Sequence, residues 1–337
     1  MSRLMNTPGL SVVLVTPDTY ARLRKTMMHL ARQTARLALE IIVVSPSKLT
    51  DVRDSDFVGF AGVHFVETGP FPDTGHPRAA GARHATAPFV AFAEDHCFPE
   101  PNWAEHLIDV YRGRWAGVSP ALANANPGAV SAADFLLNFG HSAWPLAQRA
   151  VRHTPWHNTS YRRDLLHGYG DRLAHMLEAE VRIHEDFHRR GLRLFMAGNL
   201  RVHHVNLSRW RSFLACQFFG GRLFGAARAE AGTWSIGRKL FYALMLPLIP
   251  LRRAPEILGH ARRIGVERTA AFLLACGSGL LASALGEVSG YVLGQGDMGR
   301  RRITYEFERN RYLRPADLFY LQLAEEPFVD SAEAASA

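Results

Sequence analysis

The alternation of two periods near the N-terminus narrows the possible folds most. Ser11–Thr16 reads SVVLVT and Glu40–Ser45 reads EIIVVS. Near-continuous β-branched runs without polar alternation predict strands covered on both faces, as in a parallel sheet. Between them, within Thr19–Gln33, Leu23, Met27 and Leu30 recur at helical spacing with basic residues interspersed. The alternation continues with a weaker strand at Val63–Glu67, a small-residue helix over Pro77–Thr86, a strand at Phe89–Ala93 and a helix over Pro101–Arg112. This order predicts an α/β fold: a Rossmann-like, mostly parallel sheet flanked by helices. Ligands of such sheets sit at the carboxyl ends of the strands. Thr16–Asp18, Ser45–Ser47 and Glu94–His96 are therefore candidate site segments.

The pattern then loosens. Asn124–Pro155 reads as loops and short strands covering the sheet. A helix over Asp171–Arg190 follows, closed by Gly191, and then two short strands, Leu192–Met196 and Leu200–Val205. Beyond Ser208 the chain turns aromatic, Arg-rich and Gly-interrupted. A chain of 337 residues suggests one large domain or two smaller ones. The expected division is a domain over 1–207, a helical basic and apolar region over 208–330, and a tail over 331–337.

Lys and Arg number 39 against 31 Asp and Glu, a formal charge of +8. That excess excludes an acidic disordered protein and predicts an anionic partner. It is unevenly placed: residues 1–207 carry a net +3, residues 208–302 a net +9, and residues 303–337 a net −4. The basic residues border apolar segments instead of interleaving with aromatics on a sheet, which argues for an anionic membrane surface and against nucleic acid. Three isolated cysteines, Cys97, Cys216 and Cys276, give no disulfide framework or C-x-x-C site, as in a reducing compartment. The first ten residues lack the apolar run of a signal peptide. The expected location is cytoplasmic, peripheral on the inner face of the cell membrane.

The sharpest chemical constellation is Phe92-Ala93-Glu94-Asp95-His96, with Phe98-Pro99-Glu100-Pro101-Asn102-Trp103 after it. Two carboxylates and an imidazole at a strand end can hold a divalent cation, which would neutralise a phosphate-bearing substrate. The same carboxylates can also simply cap the next helix.

Several ordered segments resemble family 2 glycosyltransferases, which have the inverting GT-A fold. SVVLVT and its helix match the opening unit, and LEIIVVS matches the second strand. Pro77-Arg78-Ala79-Ala80-Gly81 stands where the family has Ala-Arg-Asn-x-Gly. FVAFAEDH…PEPNW resembles the strand ending in a D-x-D-type metal motif. His157-Asn158-Thr159-Ser160-Tyr161-Arg162-Arg163 resembles the segment leading to the acceptor. Glu178–Glu180, Arg189-Arg190-Gly191 and Arg201–His204 match the family's acidic, R-x-G and V-x-H ending.

The resemblance implies transfer of a sugar from a nucleotide-sugar donor to a hydroxyl acceptor with inversion, in cell-surface or lipid-linked glycan synthesis. It implies Glu180 as the base. It places Asp95 and His96 on a Mn²⁺ or Mg²⁺, joined by His204 or its neighbour His203; adjacent strand residues face opposite ways, so only one serves, and His204 is preferred. It turns Thr16, Asp18, Ser45, Arg78 and Glu94 toward the nucleotide, and His157 and Asn158 toward the acceptor. Three departures stand out. His96 replaces the last acid of the metal motif, Ala79 replaces the usual Asn, and Ser45-Pro46-Ser47 lacks the acid that contacts uracil in many relatives. With a softer ligand at position 96, metal binding would weaken and the chemistry could lean on Arg78. One alternative is a catalytically silent relative that binds a nucleotide-sugar or lipid.

A competing motif is spelled out in His184-Glu185-Asp186-Phe187-His188, an H-E-x-x-H that on a helix could bind zinc for a hydrolase. Arg182, Asp186, Arg189 and Arg190 around it instead suit a solvated helix. In the C-terminal third, Leu240–Leu251 and Thr269–Gly286 are uncharged and flanked by Arg252-Arg253, Arg262-Arg263, Arg268 and Arg300-Arg301-Arg302. The first is too short to span a bilayer and the second is borderline. An interfacial membrane segment, a buried helical core and a docking site on another membrane protein all fit. Gly286–Tyr291 resembles the tail of a bacterial glycosyltransferase subgroup.

Overall fold

A computed structural model of the chain describes residues 7–155 and 158–322. The strands among them are β1 (Leu10–Val15), β2 (Leu39–Ser45), β3 (Gly62–Glu67), β4 (Phe89–Ala93), β5 (Cys97–Pro99), β6 (Gly117–Asn124), β7 (Arg149–Val151), β8 (Ser160–Arg162) and β9 (Leu194–His204). They form one mixed sheet in the order β3-β2-β1-β4-β8-β6-β9-β5, with β7 also on β9. β1 to β4 are parallel, and so are β6 and β9. The short β8 enters antiparallel between β4 and β6, and β5 and β7 run antiparallel on β9. The sheet is thus less uniformly parallel than its opening suggests.

Its helices are α1 (Arg24–Ala31), α2 (Gly75–His84), α3 (Trp103–Val110), α4 (Ala129–Phe139), α5 (Arg163–His167), α6 (Leu173–Glu178) and α7 (Val181–Arg189). Alternate residues of β1 face different cores. Leu10, Val12 and Leu14 meet Leu30, Trp103 and Leu107 on one side, and Val13 and Val15 meet Ala79, Ala82 and Leu177 on the other. This two-sided burial explains why the first strands show no polar alternation.

Three expectations are corrected. The stretch 124–155, expected to be loops and short strands, holds the helix α4 as well as the short strand β7, and the buried strand β6 just before it was not expected. Pro120 had disguised β6; it lies where the β6–β9 register shifts, an irregularity that tolerates proline. The two expected strands ending at Val205 are one strand, β9, which runs unbroken through Gly198. A Cβ there would stand 1.9 Å from the Leu146 carbonyl oxygen, so the glycine serves a close backbone approach. The expected helix over 171–190 breaks between α6 and α7, where Ala179 is extended at φ −136°, ψ 98°.

The C-terminal helices are α8 (Trp210–Ala231), α9 (Ile236–Leu244), α10 (Leu248–Arg263), α11 (Ala270–Leu293) and α12 (Met298–Phe307). Phe213, Ile257, Phe272 and Leu280 belong to the same apolar core as Leu10 and Val12, so one core crosses residue 208. α8 and α11 approach backbone to backbone: a Cβ on Gly286 would lie 2.1 Å from the Phe218 carbonyl oxygen. By length and composition α11 could cross a membrane, but half of its apolar window is buried in the fold. After α12, the segment 309–321 returns across the sheet edge. Leu313 joins Phe98, Ala125 and Val205, and the Lys25 ammonium donates to the Tyr320 carbonyl at 2.6 Å. The tail at 331–337 lies outside the described residues.

Candidate functional site

The strand order places a switch point between β1 and β4. From β1 the chain steps through β2 to β3 on one side, then returns to β4 on the other. Ligands of α/β sheets bind in the crevice such a reversal opens at the carboxyl ends. Thr16 and Asp18 follow β1 there, Glu94, Asp95 and His96 follow β4, and Ser45 ends β2. Thr16 donates to the Thr19 carbonyl and Ser45 to the Ser47 carbonyl, so both hydroxyls shape their own turns. The Asp18 carboxylate accepts from Arg22 at 2.6 Å and from the Thr19 amide at 2.7 Å.

At the centre lies the buried Glu94 carboxyl. Asn158 donates to it at 2.8 Å and the Cys97 thiol at 3.0 Å. The imidazoles of His96 and His204 stand 3.6 and 3.7 Å away, and the Arg78 guanidinium 3.8 Å away. Asn158 adopts φ +51°, a left-handed conformation that asparagine tolerates. Asn158, expected on the acceptor side, here supports Glu94. His157 lies outside the described residues. His204 reaches the centre because β5 pairs with the end of β9, setting Cys97 opposite it. Its neighbour His203 turns to Glu100 on the other face.

The C-terminal segment completes the site. Arg78 donates to Glu306 on α12 at 2.7 Å, Arg309 donates to His96 Nε2 at 2.8 Å, and Arg22 donates to Asn310 at 2.7 Å. His96 accepts at Nε2, so its proton sits on Nδ1, which donates to Asp95 at 2.6 Å. Burial raises Glu94 well above the usual carboxylate range, and the neighbouring Glu306 carboxylate adds to this. Burial pushes Asp95 up to about 7, against the pull of Arg309 and Arg22. His204 is held neutral, first by burial and then by His96.

Glu94, His96, Cys97 and His204 offer ligand atoms within 4.8 Å of one another. Asp95, expected as a ligand, stands outside this group with an oxygen committed to His96. A Mn²⁺ or Mg²⁺ wants oxygen ligands and retained water. This group offers one carboxylate, two imidazoles and a thiol that burial keeps protonated, all closed to solvent. The His96 Nε2 lone pair is already taken by a guanidinium. The residues present do not fit Mn²⁺ or Mg²⁺.

A cavity of about 830 Å³ opens from Glu94, His204, Glu306 and Arg309 and runs outward to Tyr242 and Leu248. The buried polar atoms on its lining residues that lack a hydrogen-bond partner include Arg309 Nε and His204 Nδ1. Glu180, at the break before α7, lines a second cavity of about 130 Å³. The two share His153, Thr154, Phe224 and Arg228. Glu178, by contrast, is bonded to Arg182 and Gln295.

The H-E-x-x-H alternative does not assemble. His184 Nε2 faces inward to the Tyr161 hydroxyl at 2.8 Å and the Thr154 hydroxyl at 3.1 Å, and burial lowers its pKa to about 3. Glu185 and His188 instead meet Arg152 on the outer surface. Nor is the helix wholly solvated, since Arg182 is buried among Glu178, Glu230 and Gln295.

Sequence reasoning missed Arg309, Glu306 and Asp134. Asp134 is buried on α4, accepting from Gln217 and the Leu207 amide. Arg309 lies 213 residues from its partner His96, and no spacing pattern announces it.

No family model and no curated protein matches the sequence. Among solved structures, the chain is similar to the crystal structure of S. aureus TarS, 14% identical over 83% of this chain and 55% of that one, at a TM-score of 0.45. It is similar to the crystal structure of S. aureus TarS 1-349, 14% identical over 85% of this chain and 90% of that one, at 0.45. It is likewise similar to S. aureus TarS 1-349 in complex with UDP, 13% identical over the same shares, at 0.43. The chain spans just over half the length of the first of these.

Proposed function

We propose that the chain is a family 2 glycosyltransferase of GT-A type that moves a sugar from a nucleotide-sugar donor to a hydroxyl acceptor with inversion. The observation that carries this reading is the crevice at the β1–β4 switch point, where Asp18, Arg22, Asp95 and Arg309 meet. A nucleoside diphosphate would seat its base beside Ser45 and its phosphates beside Arg22, Arg78 and Arg309. The sugar would then project into the large cavity. Glu180, buried beside that cavity, takes the proton of the acceptor hydroxyl as its oxygen attacks the anomeric carbon. The bond from that carbon to the diphosphate breaks, and its electron pair leaves on the diphosphate oxygen. Asn158, Cys97 and Arg78 fix Glu94, which holds the floor of the site.

The acceptor side points to a membrane. No residue of α9 is buried, and Ile236, Leu240, Phe241 and Leu244 are 51–76% exposed beside Arg238 and Lys239. Leu248 and Leu251 on α10 continue the apolar face. An exposed apolar face with basic neighbours suits the surface of an anionic bilayer. The outer end of the large cavity opens beside it, which favours an acceptor carried on a lipid and a peripheral place on the inner face of the cell membrane.

A panel of nucleotide-sugars tests the reading, with thermal stabilisation followed by release of nucleoside diphosphate on addition of membrane lipid acceptors. One class should stabilise the protein and turn over. Glu180→Gln and Asp95→Ala variants that fold yet keep full transfer would sink it. A silent binder is the second reading, favoured by the closure of Glu306 and Arg309 over the motif; it predicts stabilisation without turnover.

A further inference from the structure

We propose that the Arg309 guanidinium, in place of a divalent cation, supplies the positive charge that receives the leaving diphosphate. This rests on the glycosyltransferase reading and deepens it. The motif that would hold a metal ends in His96, and the lone pair a metal would need is taken by Arg309 at 2.8 Å. Asp95 secures the other nitrogen of the ring at 2.6 Å, so Asp95 and His96 together aim the guanidinium. Arg309 is only 7% exposed, lines the cavity and keeps a buried Nε–H without a hydrogen-bond partner. A buried donor of that kind is costly unless something accepts from it. A phosphate oxygen does so with geometry that a guanidinium matches. Arg22, bonded to Asn310 in the next position, adds a second cation on the Asp18 side.

In the transfer step the acceptor oxygen bonds to the anomeric carbon and its proton passes to Glu180. The carbon–oxygen bond to the donor breaks, and the electron pair becomes an extra negative charge on the departing nucleoside diphosphate. Arg309 meets that charge as it develops, already oriented and shielded from water. The charge is fixed by the fold and needs no exchangeable ion.

Calorimetric titration of the full chain with UDP and with GDP, each in excess EDTA and in excess MnCl₂, tests the assignment. At least one nucleotide should bind with the same Kd in both buffers. Arg309→Met should weaken that binding about 10- to 100-fold and Arg309→Lys should recover part of it, while MnCl₂ alone gives no binding heat. Binding that appears only with Mn²⁺, or Mn²⁺ binding lost in His204→Ala, overturns the assignment and leaves the donor reading standing. No binding of either nucleotide in either buffer overturns both. If Arg309→Met does not fold, the two-buffer comparison on the native chain and Arg309→Lys still decide.

Discussion

The sheet edge and the α9–α10 pair invert each other's burial. At the sheet edge, Glu94, His96, Arg78, Glu306 and Arg309 are all under 10% exposed, and each meets a charged or polar partner. On α9 and the start of α10, leucines and isoleucine stand more than half exposed. Charges are seldom buried unless paired, and apolar patches of this kind seldom stay in water. The first region pairs most of its groups internally and leaves Arg309 Nε, on a residue lining the cavity, without a hydrogen-bond partner. The second leaves its apolar surface unmet by any described part of the chain. On the reading proposed above, the first would hold an anion and the second would meet an apolar phase, with residues of both lining the large cavity.

The largest expected effect breaks the chemical side of this contrast. Glu180→Gln should lower transfer about 10²- to 10⁴-fold with unchanged nucleotide affinity; a loss confined to KM would show that Glu180 binds and does not take a proton. Next comes the frame shared by both regions. Gly286→Leu drives a side chain into the α8 backbone and should cost about 3 kcal/mol or more in denaturant unfolding. An unchanged midpoint would mean that α8 and α11 do not approach so closely.

Asn158→Ala strips the Glu94 carboxyl of a buried donor and should cost about 1–3 kcal/mol. On the pH axis, His184 has a folded pKa of about 3, below its ordinary 6.5. Its contribution is complete above pH 6.5 and is lost as the pH falls toward 3. His184→Phe should flatten stability across that window, and a curve as steep as the native one would contradict it. The smallest effect on stability belongs to the other region: Ile236→Asp with Leu244→Asp should shift unfolding by less than about 0.5 kcal/mol. The same pair should abolish cosedimentation with phosphatidylglycerol vesicles, and retained sedimentation would remove α9 from the membrane contact.

The contrast also explains what the sequence could show. The strands β1 to β4 were legible almost to the residue: β1 and β2, buried along their whole length, leave continuous apolar runs, whereas the edge strand β3, largely exposed, gives the weaker signal. β6 and α4 were not, since Pro120 and the alanines of 129–134 carry little periodic signal. Within the site, Glu94, Asp95, His96, Arg78, Asn158 and His204 were all nameable, being tied to strand ends or to an ordered resemblance. The position of Asp95 outside the ligand group depends on which way one loop carboxylate turns, which no spacing encodes. Arg309 was hidden for a different reason. It arrives from the far side of the apolar helices, in a segment that looked like part of the appendage but closes over the sheet.

Hydrogen–deuterium exchange with and without the nucleoside diphosphate that binds best tests the joining of these parts most directly. Exchange should slow together in 10–18, 89–97 and 302–312, while 236–251 stays unchanged until vesicles are added. Protection of the strand ends that leaves 302–312 untouched would contradict a donor site completed by the C-terminal segment.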